Sequence, residues 1–209
     1  MEPDGQRWQR LSTEPLADPL AALRQDRSRA REHGDANAEL CWLATVTVDR
    51  QPRVRTLVLR DVDDGLALFI NATSAKGRDL AAQPNCQVAT WYPSLQRQWR
   101  LEVRAEPLSR ALLTRHWQRR PRSSQVMDHL YGGEFPQSSP LTDPDDLRRA
   151  HGELDDELGA NPEPPAAALA LGLTVLRAEC LQIHPADRLH DRWAFVRTGD
   201  GWTRQALVP

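Results

Sequence analysis

The stretch RQWRLEVRAEP, residues 97–107, alternates with a period of two. Gln98, Arg100, Glu102 and Arg104 fall on one side, and Trp99, Leu101, Val103 and Ala105 on the other. Successive side chains leave opposite faces only in an extended strand, so this segment commits the chain to a sheet with one face on a core. Other runs agree with it. ELCWLATVTV (39–48), RVRTLVLRDV (53–62), LALFIN (66–71) and CQVATWY (86–92) are rich in β-branched and aromatic residues and are separated by short turns such as DRQP and DDG. LTVLRAECLQIHP (173–185) returns to strand, and RWAFVRT-GDG-WTRQALV at the end reads as a hairpin.

Helices interrupt the strands. ADPLAALRQDRSRARE (17–32) has Asp18 as a cap and Pro19 in its first turn. SAKGRDLAAQP is a short helix stopped by Pro84, SRALLTRHWQRR is capped by Ser109 and ended by Pro121, and LTDPDDLRRAHGELDDELG is acidic and amphipathic. ANPEPPAAA reads as a connector. The expectation is mainly β with peripheral helices: about eight strands in one barrel-like domain over residues 18–209, with residues 1–17 as a loose polar arm.

Composition narrows the function. A net charge of -2 with 27% charged residues gives no sign of a nucleic-acid or membrane-surface partner. No apolar run approaches the ~20 residues of a membrane helix, and the polar start MEPDGQRWQR has no leader-like apolar core. Cys41, Cys86 and Cys180 are scattered and odd in number, which reads as buried thiols in a reducing cytoplasm. The 6 histidines lack metal-ligand spacing, so no metal site is expected, and no nucleophile elbow, HExxH or Walker loop occurs.

The candidate chemistry lies in cationic clusters. Lys76 is the single lysine, set in SAKGR where a helix begins. With Ser74 and a strand-borne Arg55 or Arg60, that helix start is either a phosphate seat or a solvated turn. RRPRSSQ (119–125) offers Arg120, Arg122, Ser123 and Ser124, and PQSSPL (136–141) further donors, though spacing alone favours a polar loop for each. DRLHDRW (187–193) packs two Arg, one His and two Asp into seven residues, on its own a charged turn before the hairpin.

Taken in order, RTLVLR, SAKGR, LQRQWRLEV, RRPRSSQ, PQSSPL and RLHDR resemble the pyridoxamine 5'-phosphate oxidase family, over nearly all of the chain from about Asp18 onward. The resemblance implies an FMN-binding split β-barrel, a homodimer with FMN at its interface, and oxidation of a phosphorylated B6 vitamer to pyridoxal 5'-phosphate with O2 as acceptor. A related FMN-dependent oxidoreductase and a non-catalytic FMN or pyridoxal-phosphate binder are the alternatives.

By the same resemblance, Arg55 and Lys76 hold the FMN phosphate. Arg55, Thr56, Leu57, Val58, Leu59 and Arg60 line the flavin, with Phe69 and Ile70 beside it, and Gln98 contacts its ring. Gln137, Ser138 and Arg192 reach it from the other subunit. Arg60, His116, Arg120 and Ser124 bind the substrate phosphate, while Arg188 and His190 close over the substrate ring as the catalytic pair, on a short extended edge. Against the family pattern, Arg60 stands for a lysine, Ala75 for an arginine, His116 for a tyrosine, Phe69–Asn71 for YTN, and Gln182 for a tryptophan beside the flavin.

Overall fold

A computed structural model describes residues 18–186, 188–199 and 201–209. The expected N-terminal arm, residues 1–17, and Asp187 of the DRLHDRW stretch lie outside the described residues. The described strands are β1 (Leu40–Val46), β2 (Pro52–Val58), β3 (Arg60–Val62), β4 (Gly65–Asn71), β5 (Asn85–Tyr92), β6 (Arg97–Pro107), β7 (Ala168–Gln182), β8 (Asp191–Thr198) and β9 (Gly201–Leu207). They form one sheet of order β2-β1-β5-β6-β7-β4-β3, with β8 and β9 extending from β7. Every pairing is antiparallel.

The sequence reading made residues 53–62 one strand, and the structure breaks it at Leu59. β2 pairs with β1 and β3 with β4, so the two ends of the sheet path are joined through a single residue and the sheet curls on itself. The joint is held from both sides: Leu59 N–H donates to the Glu39 carbonyl at 2.9 Å, and buried Arg27 donates to the Leu59 carbonyl at 2.7 Å. This satisfies the two backbone groups that the break takes from the ladder. β2 and β4 face each other across the split without pairing, as a split barrel requires.

The inner face carries Leu43, Val88, Trp99, Leu101, Val103, Ala178, Cys180 and Phe195, all buried. Helix α1 (Pro19–Glu32) lies on this core through Leu23 and Ala30, with Asp18 capping it as expected. It also buries a charge network. Asp26 accepts from Arg97 Nη1 at 2.6 Å and Trp99 Nε1 at 2.8 Å, and burial pushes its carboxyl above the usual range against the pull of Arg97. All three cysteines are free and buried.

Four more helices follow: α2 (Ala75–Ala82), α3 (Arg110–Trp117), α4 (Arg122–Gly132) and α5 (Pro144–Glu157). Ser74, Ser109 and Asp143 cap α2, α3 and α5. In α2 an added Cβ on Gly77 would sit 2.4 Å from the Ala72 carbonyl, so only glycine lets the helix start this close to the end of β4. α4 is absent from the sequence reading, which took RRPRSSQ as a loop. Pro121 ends α3 and at the same time starts α4, because proline suits a helix entry. Among the described residues, no helix is long and apolar enough to cross a membrane.

Candidate functional site

Two cavities lie side by side at the split. The first, about 840 Å³, is lined by Arg53 and Arg55 of β2, by Ser74, Lys76 and Arg78 at the start of α2, and by Gln137 and Ser138 of the loop after α4. The second, about 710 Å³, is lined by Thr56, Leu57, Val58, Arg60, Phe69 and Ile70 of the strands and by His116, Arg120, Ser124, Asp128 and Tyr131 from α3, α4 and the turn between them. Lys76, Tyr131 and Gln137 border both. The Lys76 ammonium donates to Gln137 Oε1 at 2.8 Å, and burial together with Arg55 holds it below the usual lysine range.

The first cavity is cationic and pre-positioned. Arg55 Nη1 donates to Thr45 Oγ1 at 2.7 Å and to the Leu43 carbonyl at 3.2 Å. Its Nη2 meets Asp79 at 3.4 Å, and burial lowers the guanidinium's pKa while Asp79 opposes the shift. Asp79 also accepts from Thr45 at 2.8 Å and Arg53 at 3.3 Å, so one buried carboxylate aims two arginines. The sequence reading missed Asp79; its only signal was its place three residues after Lys76, one turn along the same helix face.

The second cavity holds Arg120 with its Nη1 2.7 Å from Asp128 Oδ2 and its guanidinium 5.4 Å above the Trp117 ring. Burial lowers the Arg120 pKa and raises that of Asp128, each opposed by the other's charge. His116 sits 5.9 Å from the Phe69 ring, and burial with Arg115 and Arg119 nearby holds its pKa below the usual value. Arg122, which the sequence offered as a further oxyanion donor, is spent elsewhere. It donates to Asp155 Oδ1 at 2.6 Å and to the carbonyls of Asp155, Leu158 and Gly159 at 2.8, 2.6 and 2.8 Å, closing the C-terminal end of α5.

The remaining expected site residues lie apart from these cavities within the chain. Gln98 and Arg192 border a small hollow of about 110 Å³ on β6–β8. Arg192 is fixed by Glu179 at 3.2 and 2.8 Å, and Arg100 and Arg177 hold the same carboxylate; these contacts overcome its burial and depress the Glu179 pKa to about 2. Gln98 stands three strands from Thr56 and Arg192 five strands, which is ~14 and ~24 Å along the sheet.

Four expectations change. Gln182 does not face a ligand: it is 1% exposed and bonds Arg97 and the Leu95 carbonyl inside the barrel. The residue on its strand that shares a face with Gln98 and Arg192 is Leu181, by cross-strand register, and a one-residue shift reverses the face. Leu59 likewise turns its side chain into the core at 0% exposure, leaving it only backbone to offer. Gln137 and Ser138 lie beside Lys76 in the same chain, so a second copy is not needed to bring them there.

The fourth change concerns Arg188 and His190. They do not lie on an extended edge: Arg188 has φ 59, its N–H donates to the His184 carbonyl at 3.0 Å, and β8 begins only at Asp191. His190 Nδ1 accepts from the His184 N–H at 3.1 Å, and His184 Nε2 lies 2.9 Å from Asp191 Oδ2.

Comparison with known proteins fits this geometry. The family pattern described as pyridoxamine 5'-phosphate oxidase matches residues 32–151. Curated proteins named pyridoxine/pyridoxamine 5'-phosphate oxidase match from Microcystis aeruginosa, 34% identical over 95% of this chain and 92% of that protein, and from Anaeromyxobacter dehalogenans, 34% identical over 92% of this chain and 96% of that protein. Among solved structures, PhzG from Burkholderia lata 383 in complex with tetrahydrophenazine-1-carboxylic acid is 25% identical, with a TM-score of 0.83 over 94% of this chain and 95% of that one. A pyridoxamine 5'-phosphate oxidase-related, FMN-binding protein from Nostoc punctiforme shares the fold at a TM-score of 0.71 and 18% identity, over 93% of this chain and 100% of that one. The curled sheet with its split between β2 and β4, the cationic cavities along that split and the shared sequence pattern lead to one assignment: the chain belongs to the pyridoxamine 5'-phosphate oxidase family.

Proposed function

We propose that the protein is an FMN-dependent oxidase that converts pyridoxamine or pyridoxine 5'-phosphate to pyridoxal 5'-phosphate, acting as a homodimer in the cytoplasm. The observation that carries this reading is the pair of adjoining cavities, each with its own cationic wall. A phosphorylated cofactor and a phosphorylated substrate need two such seats that meet.

The residues present fit FMN. Arg55, Lys76 and Ser138 supply charged and hydroxyl donors for its phosphate. Among the described residues β2 pairs only with β1, so the backbone groups on its other edge are available to the polar rim of a flavin ring. Thr56, Leu57 and Val58 border the second cavity along that strand. Bound FMN supplies the acceptor for a hydride from the substrate C4' and returns the electrons to O2 as hydrogen peroxide.

The chain's own part is positioning. Arg60, Arg120, Ser124 and His116 hold the substrate phosphate at the far end of the second cavity, and the apolar walls Phe69 and Ile70 limit water. In neutral His190 the hydrogen bond into Nδ1 leaves the proton on Nε2, so this ring presents an N–H donor. Arg188 stands exposed beside it.

The homodimer reading rests on the outer sheet face. Trp42 and Ala44 of β1, Val54 and Val58 of β2 and Ala89 and Trp91 of β5 present partly or fully exposed apolar side chains between the two groups of site residues. A second copy packed there would cover this face and bring its Gln98, Arg188, His190 and Arg192 to the cavities of the first.

The test is direct. Purified protein should be yellow and should release peroxide from pyridoxine 5'-phosphate under air; absence of turnover at saturating FMN overturns the proposal. A second reading, a related flavin oxidoreductase acting on an unphosphorylated ring acid, has one observation in its favour, the structural likeness to PhzG with its carboxylic acid ligand. That reading expects bound FMN and no B6 turnover.

A further inference from the structure

Arg53 lines the first cavity beside Arg55, and nothing in the proposed FMN seat uses it. The residues that line this cavity include four cations, Arg53, Arg55, Lys76 and Arg78, and no acidic side chain. Two carboxylates act on these cations from outside the wall: Asp79 on the two β2 arginines, and Asp128 on Lys76. Lys76 donates to the neutral Gln137 amide, which cancels none of its charge. Arg78 is turned back on the helix entry, donating to the Thr73 carbonyl. The cavity is thus built for an anion of more than one charge.

We infer that Arg53 is a further ligand of the FMN phosphate and supplies the cation that the start of α2 lacks at Ala75. The inference rests on the FMN seat proposed above. Arg53 and Arg55 are two residues apart on one strand, so their side chains leave the same face ~7 Å apart. Their guanidinium groups nevertheless converge on one carboxylate: Asp79 takes Arg53 on Oδ1 at 3.3 Å and Arg55 on Oδ2 at 3.4 Å. Two guanidinium groups that reach one carboxylate can also reach one phosphate, which presents more acceptor oxygens. Asp79 is 5% exposed and its Oδ2 accepts from Thr45 at 2.8 Å, so the pair of arginines is held from behind before a ligand arrives.

Among the described residues Asp79 is the only hydrogen-bond partner of the Arg53 guanidinium. An arginine carries several N–H donors in a fixed fork, so most of these are left for an oxyanion. The Arg53 side chain is 49% exposed against 22% for Arg55, which puts Arg55 deep in the seat and Arg53 at its mouth. Ala75, the first residue of α2, lines the same cavity with only a methyl group where the family pattern has arginine. Arg53 therefore meets the phosphate from β2, in place of a side chain from α2.

The test titrates full-length apoprotein with FMN and, separately, with riboflavin, which has the same ring and no phosphate, following flavin fluorescence. A charge-assisted donor is worth roughly ten- to hundredfold in affinity, and the exposure of Arg53 places it at the lower end. Arg53→Ala should weaken FMN about tenfold and leave riboflavin within about threefold of wild type. Adding Ala75→Arg to Arg53→Ala should recover at least about threefold of the lost FMN affinity, since position 75 opens on the same cavity. Arg53→Gln, which removes the charge and keeps much of the length, should show the same loss and stands in if the alanine form does not fold. Unchanged FMN affinity in the Arg53 variants, an equal loss for FMN and riboflavin, or a double variant no tighter than Arg53→Ala overturns the inference and leaves the FMN seat standing. A wild type that binds riboflavin as tightly as FMN, or binds neither, overturns the seat and the inference together.

Discussion

Lys76 is the residue on which the two cavities turn, since it borders both and is held by Gln137 across their shared wall. Removing a charge-assisted donor to a phosphate costs ~1.5–3 kcal/mol, or roughly ten- to hundredfold in affinity. Lys76→Ala should lower FMN affinity by about that factor in a fluorescence titration. Arg188→Ala should leave FMN affinity nearly unchanged and raise KM or lower kcat for the B6 phosphate; if both variants shifted the same constant, the division into two seats would be wrong. Glu179 gives a second expectation at this scale. Its pKa is depressed to about 2 by Arg192, Arg100 and Arg177, so its contribution to stability is full above the unfolded carboxyl value of about 4.3 and is lost as pH falls toward 2. In acid-unfolding curves, Glu179→Gln should be less stable than wild type at pH 6 and converge with it by about pH 2.

At the scale of elements, α5 has no buried residue and is tied to α4 by Ser123, 3.3 Å from His151, and by Arg122. Arg122 binds the Asp155 carboxylate and the carbonyls of Asp155, Leu158 and Gly159, at and just past the C-terminal end of α5. Arg122→Ala should cost about 2 kcal/mol after allowing for its partial exposure, a fall in Tm of roughly 4–8 °C, and should open residues 144–158 to proteolysis before the barrel. Most elements were legible because their signals are local. The alternation of β6, the caps Asp18 and Ser109, and the stop at Pro84 are each written in adjacent residues. What escaped depends on distant partners. The break at Leu59 is set by Glu39 and Arg27, and the role of Arg122 by a helix that begins more than twenty residues later. Gln182 was placed on the wrong face because a motif match one residue out of register reverses a strand. Asp79 and Asp128 had no motif to announce them, only positions that become meaningful once α2 and α4 flank the split.

At the scale of the whole molecule, the outer face between the cavities and the β6–β8 residues is the place to test assembly. Ala89 lies on that face between Trp42 and Arg100 and lines neither of the two cavities at the split. Ala89→Glu should convert the proposed dimer to monomer in size-exclusion chromatography and weaken FMN retention together with it; a dimer that persists would argue that copies meet elsewhere. The buried thiols supply a complementary probe of the folded whole. Burial pushes Cys41 up to about 12 and Cys86 up to about 11, and raises Cys180 as well. None of the three should react with a thiol reagent at pH 8 until the protein unfolds, since the thiolate is the reactive form.

β7 also governs when the molecule can exist at all. It lies between β6 and β4 in the sheet and carries β8 on its far half, yet it is made of residues 168–182. A nascent chain that has released everything through α5 therefore holds β4 and β6 with open edges and no strand to join them. The protein spends most of its synthesis as a half-curled sheet whose edges invite pairing with other chains. Shielding that interval falls to the early helices and to whatever chaperones meet the ribosome, and a stall before residue 168 would leave an aggregation-prone fragment rather than a smaller folded one.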